Sequence, residues 1–577
     1  MEASTDRMVG DAGHSARRAA RGLVLLAVAG GLALAAWRCA PAPTPKPGPV
    51  EDQPAPPPVT LRGVVWTPDG PAEGAIVRIQ ATENVTRSGP NGEFALRVPA
   101  GEWVTVTAWV KGHYIGGRDV PPEERPFEIE LRPHYVEDNE AYDWFSEEGA
   151  EGSRSCGHCM PGHYAEWKAD AHSRSAVNPR FLSMYNGTDL RGRRSTMVRS
   201  GRGEAYGPPP GKPDPNRPYY GPGYKLDYPD ENGDCAACHA PAAVARPNGQ
   251  LDGDVNDLSP IEKEGVFCEF CHKIGEVVLD PSTGLPYWHT PGMNSIRLYR
   301  PPDGRQLFFG TFDDVTRRVT YSPLLAESAF CSPCHWGMFS GVLVYNSFGE
   351  WYDSPYNHPK TGKTCQDCHM PPTQDAHFVR PEKGGLRRKP GRIYTHRMPG
   401  ADDVAFLQDT ARLELRASRS DGRVLADVNV TNEKGGHHIP TGHPARNILL
   451  VVSATDAAGN DLEHLGRQVL PPWAGEGSEE SDYAGRPGKG YAKVLEELWS
   501  GTYPTAAYWR QTTLREDTRI EAKATDETHY EFRAPAGPGA VTVRAKLIYR
   551  RAFKDLARQK GWELKDIPME QAEAVVR

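Results

Sequence analysis

The chain has 577 residues, a formal net charge of −8 and 38% hydrophobic residues, with 59 glycines and 53 prolines. The length predicts several domains, and the acidic balance gives no case for a nucleic-acid partner. Core-forming residues are scarce for this length, so side chains alone are not expected to fill the interior.

Residues 1–40 have the pattern of an export signal. Arginines precede an apolar run from Leu23 to Trp37, and Ala33-Leu-Ala offers a cleavage site. The run is short for a membrane span of about twenty residues, and a signal anchor is the alternative. Both interpretations place the mature chain outside the cytoplasm, periplasmic or extracellular, either released or membrane-anchored.

Residues 41–58 form a proline-rich linker, which we expect to be extended and semi-rigid. Residues 59–132 then alternate polar and apolar side chains in short runs, separated by turn signals such as Pro68-Asp-Gly and Pro90-Asn-Gly. These runs predict a β-sandwich. Their Gly-x-Val, Gly-Ala-x-Val and Asn-Gly-x-Phe patterns resemble the carboxypeptidase-regulatory-type domain, which implies a structural or docking module.

Residues 133–404 contain five Cys-x-x-Cys pairs, and four of them are followed by histidine. In Cys-x-x-Cys-His the two thiols form thioether bonds to haem, and the histidine binds the iron from the proximal side. Structural zinc or a disulfide would leave the repeated histidine unexplained. We therefore predict four covalent haem c groups with their iron. Their attachment and proximal residues are Cys235, Cys238 and His239; Cys268, Cys271 and His272; Cys331, Cys334 and His335; and Cys365, Cys368 and His369.

The fifth pair, Cys156 and Cys159, is followed by Met160 where the proximal histidine is expected. Thioether attachment requires only the cysteines, so this pair is a candidate fifth haem site. Its iron would take Met160, another side chain or no proximal protein ligand. The alternative is a degenerate site that is closed as a disulfide.

Residues 405–550 return to alternating β patterns, which predict a second β-sandwich, and residues 551–577 are expected to form a terminal helix or tail. The segment Gly435-Gly-His-His-Ile-Pro-Thr-Gly442 is similar to the C-terminal domain often fused to multihaem cytochromes. With the cysteine motifs, it makes residues 133–550 resemble the multihaem c-type cytochrome superfamily. That superfamily includes nitrifier electron-transfer cytochromes, multihaem nitrite reductases and hydroxylamine oxidoreductases. The predicted architecture is multidomain: a β-sandwich, a haem-packed, mainly α and irregular domain, and a second β-sandwich.

Spare histidines bear on function, because an electron-transfer haem usually has two protein ligands whereas a reactive haem needs an open position. Thirteen histidines beyond the four proximal ones lie in residues 133–550. The resemblance implies distal roles for two of them, and loop context suggests two more; two others are secondary candidates. The distal candidates are His172 and His396 by resemblance and His289 and His437 by context, followed by His358 and His377.

The predicted function is electron transfer by an exported multihaem cytochrome that relays single electrons between redox partner proteins. The first alternative is a multihaem reductase or oxidase of small nitrogen or sulfur compounds. It would use the atypical pair at Cys156 and Cys159, because nitrite reductases of the superfamily have lysine in place of histidine at one motif. The second alternative is a subunit of an extracellular haem filament.

Overall fold

The computed structural model describes residues 57–121, 126–144, 152–196, 212–245, 253–302 and 305–577. The predicted signal or anchor and nearly all of the predicted linker lie outside the described residues. Within those ranges, no helix combines the length and the apolar character needed to cross a membrane.

Two four-stranded sheets form the first part of the described chain. Their strands are β1 (Val59–Thr67), β2 (Gly70–Pro71), β3 (Ile76–Ile79), β4 (Val85–Arg87), β5 (Glu93–Val98), β6 (Val104–Trp109), β7 (Gly116–Val120) and β8 (Phe127–Glu130). In one sheet β1 lies between β2 and β5 with β8 also paired to it, and the other has the order β4-β3-β6-β7. Alternate side chains of β5 are buried, including Phe94 and Leu96, as expected for a strand with one face on a core.

Short helices dominate the described part of residues 133–404. They are α1 (Arg154–Gly157), α2 (Pro161–Ala169), α3 (Pro179–Asn186), α4 (Tyr224–Asp227), α5 (Cys235–His239), α6 (Pro241–Val244), α7 (Cys268–His272), α8 (Ser332–His335), α9 (Ser347–Tyr352) and α10 (Cys365–His369). The longest has nine residues. Since helices shorter than about 12 residues are marginal on their own, these depend on what packs against them.

Small sheets and 3₁₀ turns connect these helices. The strands are β9 (Ile274–Val277), β10 (Ile296–Leu298), β11 (Phe308–Gly310), β12 (Val319–Tyr321), β13 (Gly337–Phe339) and β14 (Val342–Tyr345), which pair consecutively in twos. The 3₁₀ turns are His172–Arg174, Glu262–Glu264, Gly292–Ser295, Pro323–Ala326, Ser328–Cys331 and Pro381–Lys383, with a further one at Pro472–Ala474.

The C-terminal part is built from two sheets with a large shared core. Its elements are α11 (Val404–Gln408), β15 (Ala411–Ser420), β16 (Arg423–Asn432), β17 (Asn447–Thr455), β18 (Gly488–Glu497), β19 (Thr512–Asp517), β20 (Thr525–Arg533), β21 (Val541–Arg550), α12 (Lys554–Lys560) and β22 (Ile567–Val576). The sheets have the orders β15-β16-β20 and β19-β18-β17-β21-β22. The loop from β16 to β17 contains three histidines, His437, His438 and His443, of which His437 and His443 lie near the cysteine motifs.

The end of the chain differs from the predicted helix or tail. After α12, residues Ile567–Val576 form a full-length strand that pairs antiparallel with β21 along its whole length. Ile567 and Met569 are buried in the core between the sheets, while the other residues of the strand are half-buried or exposed. Only two residues of this strand are buried, so its sequence has no clear apolar alternation. Its main stabilisation is main-chain pairing with β21, which a side-chain pattern does not show.

Candidate functional site

Each Cys-x-x-Cys-His motif lies on or ends on a short helix, which sets the directions of its side chains. Residues three apart on a helix share one face, so the two cysteines point to the same side. We number the sites along the chain. Site 1 is Cys156 with Cys159, and sites 2, 3, 4 and 5 are the motifs at α5, α7, α8 and α10. At site 5, Thr364 and Asp367 form a capping box that begins the helix.

By surface area His239, His272 and His369 are half-buried and His335 is exposed. The surrounding protein atoms nevertheless disfavour the charged form of each ring. This desolvation lowers the pKa of His239 to about 4 and that of His335 to about 3, and it also lowers the pKa values of His272 and His369. Nδ1 of His239, His272 and His369 lies 3.1, 2.6 and 2.6 Å from a backbone carbonyl oxygen. A neutral imidazole that donates from Nδ1 keeps its Nε2 lone pair available for a metal.

Three of these histidines face a second histidine across a gap that fits one metal ion. The ring centroids are 6.2 Å apart for His172 and His335, 6.4 Å for His272 and His396, and 6.5 Å for His369 and His437. A metal–imidazole bond is about 2.0–2.1 Å and the centroid lies about 1.1 Å behind the nitrogen, so two imidazoles on one ion have centroids about 6.2–6.4 Å apart. The pairs therefore have the separation expected of two axial ligands on one iron.

The second histidine of each pair is also held at Nδ1. Nδ1 of His172 lies 2.6 Å from Oδ1 of Asp170, and Nδ1 of His396 and His437 lies 3.3 and 3.0 Å from backbone carbonyl oxygens. Such partners orient a ligating imidazole and raise its basicity. The structure thus brings three of the four distal candidates to motif histidines: His172 to site 4, His396 to site 3 and His437 to site 5.

The fourth distal candidate, His289, is not brought to a motif histidine. It is exposed, and its ring packs beside its neighbours Tyr287 and Trp288. Of the secondary candidates, His358 is exposed, and its Nδ1 accepts hydrogen bonds from backbone N–H groups. In the second histidine of each pair, Nδ1 instead lies against an oxygen acceptor. Nδ1 of His377 is buried and has no partner among the described residues.

Site 2 instead has His443 as its neighbour, a histidine that the sequence patterns did not single out. Burial, with smaller contributions from Arg446 and His239, lowers the pKa of His443 to about 3. Its ring lies 5.7 Å from that of Tyr508, centroid to centroid. A signal for it exists in the sequence, because His443 directly follows the His-His-Ile-Pro-Thr-Gly segment that opens with His437.

Site 1 departs from the other sites. Cys156 lies on α1, and Met160, half-buried, is the residue that precedes the first turn of α2. The backbone N–H of Arg380 donates to the carbonyl oxygen of Cys159 at 2.9 Å, so the segment after site 5 returns to this site. On α2, His163 is half-buried, and desolvation lowers its pKa; its ring centroid lies 4.5 Å from that of His396.

Cysteines of different sites contact one another. The neighbouring thiol raises the pKa of Cys156 beside Cys268, of Cys238 beside Cys334, and of Cys331 beside Cys365. These contacts join site 1 to site 3, site 2 to site 4, and site 4 to site 5. An electrostatic interaction between Cys271 and Cys334 adds a connection between sites 3 and 4. All five sites therefore belong to one continuous group.

The residues present fit haem better than they fit zinc or disulfides. In the described ranges, no group of three or more His, Cys, Asp and Glu side chains is arranged to hold one metal ion, whereas structural zinc takes four. The ten cysteines of the pairs are free thiols. A haem iron needs only two axial ligands, and the three histidine pairs supply two imidazoles at each of three sites.

A search of solved structures finds a similar fold. It is that of a penta-heme cytochrome c552 from Thermochromatium tepidum. The two chains are 20% identical, the match covers 74% of this chain and 98% of that one, and the TM-score is 0.50. An identity this low shows the fold alone, and that fold is one of a multihaem cytochrome c.

Two other solved structures align much less well. One is the target SoR45 of the Northeast Structural Genomics Consortium, with 9% identity, 29% of this chain and 85% of that chain covered, and a TM-score of 0.13. The other is PapD-like domain 7 of human CEP192, with 7% identity, 31% and 89% covered, and a TM-score of 0.12. Neither supports an argument about this chain. No family model and no curated protein matches it.

Proposed function

We propose that this chain is an exported c-type cytochrome with four or five covalent haems, and that it transfers electrons between redox partner proteins. The observation that carries the proposal is the three histidine pairs with centroids 6.2 to 6.5 Å apart. Two protein ligands on an iron leave no open position, which favours electron transfer over chemistry on a substrate. The similarity to a penta-heme cytochrome fold supports the same conclusion.

The protein's own residues supply attachment, orientation and proximity. The cysteines would anchor each haem, and the histidines would hold its iron, with their Nδ1 hydrogen bonds fixing ring orientation. When bound, haem iron accepts and releases single electrons. Since cysteines of sites 1 and 3, 2 and 4, and 4 and 5 contact one another, the attachment points of successive haems are adjacent.

Export and location are part of the proposal. Residues 1–40 have a signal or anchor pattern, and covalent haem attachment to Cys-x-x-Cys-His takes place after translocation. We therefore place the mature chain in the periplasm or outside the cell, released or held by an uncleaved N-terminal anchor. The sheets of residues 59–130 would serve as a structural or docking module.

The test is a haem count on protein made with a c-type maturation system. Pyridine haemochrome analysis and intact mass should give four or five haems per chain. Cys-to-Ser changes at Cys235, Cys268, Cys331 or Cys365 should each remove one haem or block maturation, whereas Cys39→Ser should leave the count unchanged, because Cys39 lies outside the pairs. An intact mass without added haem would refute the proposal.

A second candidate function is a reductase or oxidase of small nitrogen or sulfur compounds. The observation that favours it is Met160, half-buried in the proximal position of site 1, because a thioether is a weaker ligand than imidazole. Nitrite or hydroxylamine turnover by the pure protein, lost in Met160→His with electron transfer retained, would establish this function. Equal electron transfer without turnover in both proteins would leave the electron carrier as the function.

A further inference from the structure

His443, beside site 2, differs from the paired histidines in the direction of its hydrogen bond. The backbone N–H of Ala445 donates to Nδ1 of His443, with 3.2 Å between the nitrogens. A backbone N–H can only donate, so Nδ1 carries no proton, and in a neutral ring the proton is on Nε2. In His396 and His437, by contrast, Nδ1 lies against a carbonyl oxygen and therefore carries the proton itself.

This tautomer prevents His443 from acting as the second ligand at site 2. A protonated Nε2 has no lone pair for a metal, but it can donate a hydrogen bond. Among the described residues, His239 also lacks a histidine ring at the separation found for the other three motif histidines. Its ring partner is Phe181, which stacks on it in parallel with 3.7 Å between the centroids.

The surroundings of His443 favour negative charge. A small cavity beside it is lined by three cationic side chains, Arg446, Lys493 and Arg519. Arg519 is paired with Glu350 at 2.5 Å and Asp517 at 2.8 Å.

The other two cations of this cavity make no ion pair in the part of the chain that the structure describes. The guanidinium of Arg446 donates to the carbonyl oxygen of Thr441 at 3.0 Å, and Nζ of Lys493 donates to that of Leu343 at 2.8 Å. Lys493 is buried and Arg446 is half-buried. The carboxylates of Glu350 and Asp517 also act on Lys493, so three cationic side chains meet two carboxylates here and the balance is one positive charge. An anion bound nearby would be stabilised by that excess positive charge.

We propose that site 2 keeps an axial position open to a small anion, such as nitrite or cyanide, and that His443 donates a hydrogen bond from Nε2 to that anion. The inference rests on the proposed haem at site 2. It assigns ligand binding to a site with an intact Cys-x-x-Cys-His motif, and makes His443 and Arg446 its anion-recognising residues.

The first test uses the mature protein with its haem count established, so that loss of haem and absence of an open site are distinguished. Electron paramagnetic resonance of the oxidised protein should show high-spin iron, and carbon monoxide should bind to the reduced protein. Both features should persist in His443→Ala. A wild-type protein that is entirely low-spin, with high-spin iron appearing only in His443→Ala, would overturn the proposal, since His443 would then be the iron ligand.

The second test locates the open position and its preference for anions. The high-spin signal should vanish in Cys235→Ser/Cys238→Ser and survive in the matched variant Cys156→Ser/Cys159→Ser; the reverse pattern would overturn the assignment. Arg446→Met keeps every motif residue and should weaken cyanide binding at least tenfold, while carbon monoxide, a neutral ligand, binds as before. Equal loss of both ligands, or of neither, would contradict the role of Arg446.

Discussion

Asp170 offers a direct test of how the protein sets the potential of one haem. Its side chain is 7% exposed, and Oδ1 accepts hydrogen bonds from Nδ1 of His172 at 2.6 Å and from the backbone N–H of the same residue at 2.9 Å. His172 faces His335 of site 4. In Asp170→Asn the amide oxygen can still accept from Nδ1, so the substitution removes the charge while keeping the hydrogen bond.

The size of the effect follows from Coulomb's law. The carboxylate oxygen would lie about 7 Å from an ion bound to Nε2, which at an effective dielectric constant of about 20 corresponds to about 2.4 kcal/mol for one unit of charge. For a one-electron couple this is about 100 mV, since a tenfold change in equilibrium constant is about 59 mV. The negative charge of Asp170 stabilises ferric iron relative to ferrous iron, so its removal should raise the midpoint potential.

The assay is a spectroelectrochemical titration of the mature protein. One haem in Asp170→Asn should titrate about 100 mV higher, and Asp170→Glu should stay near the wild-type curve. Asp427→Asn is the matched control, because Asp427 makes the same 2.6 Å contact with an exposed histidine, His529, that belongs to no haem site. A curve for Asp170→Asn that superimposes on those of wild type and Asp427→Asn would refute the reasoning.

Three further predictions concern stability. Arg510→Met should lower the free energy of unfolding by about 3–5 kcal/mol in denaturant titrations. The substitution leaves the carboxylates of Asp227 and Glu497, each at most 5% exposed, without their buried cationic partner. An unchanged denaturation midpoint would contradict this prediction. Burial lowers the pKa of Lys560 from 10.5 to about 7. Between these pH values the unfolded chain binds more protons than the folded one, so the free energy of unfolding should rise with pH. The rise should be smaller in Lys560→Met, and equal slopes of unfolding free energy against pH in the two proteins would exclude Lys560 as its source. Residues 59–132, expressed alone and without haem, should unfold cooperatively on heating, because their core is self-contained; a featureless melt would show that the boundary is misplaced.

Local chemistry explains why the sequence alone could predict the attachment sites. Both thiols and the proximal histidine of each motif are consecutive in the chain, so their relative positions follow from one helical turn and need no tertiary information. The same holds for the alternating β patterns of residues 59–132 and 405–550, where a strand shows its buried face directly. Site 1 was equally visible, because Met160 breaks a local pattern.

The second histidine of each of the three pairs depends on the tertiary structure, because it comes from a segment that is remote in sequence. His172 lies far before His335 in the chain, and His437 meets His369 only because the loop from β16 to β17 folds back onto the motifs. Local context ranked His289 above His443, although His289 is exposed and His443 is half-buried beside site 2. The tautomer of His443 depends on one backbone N–H, whose direction is set by the folded loop. A side-chain pattern cannot specify such a contact, because it depends on where distant parts of the backbone come together.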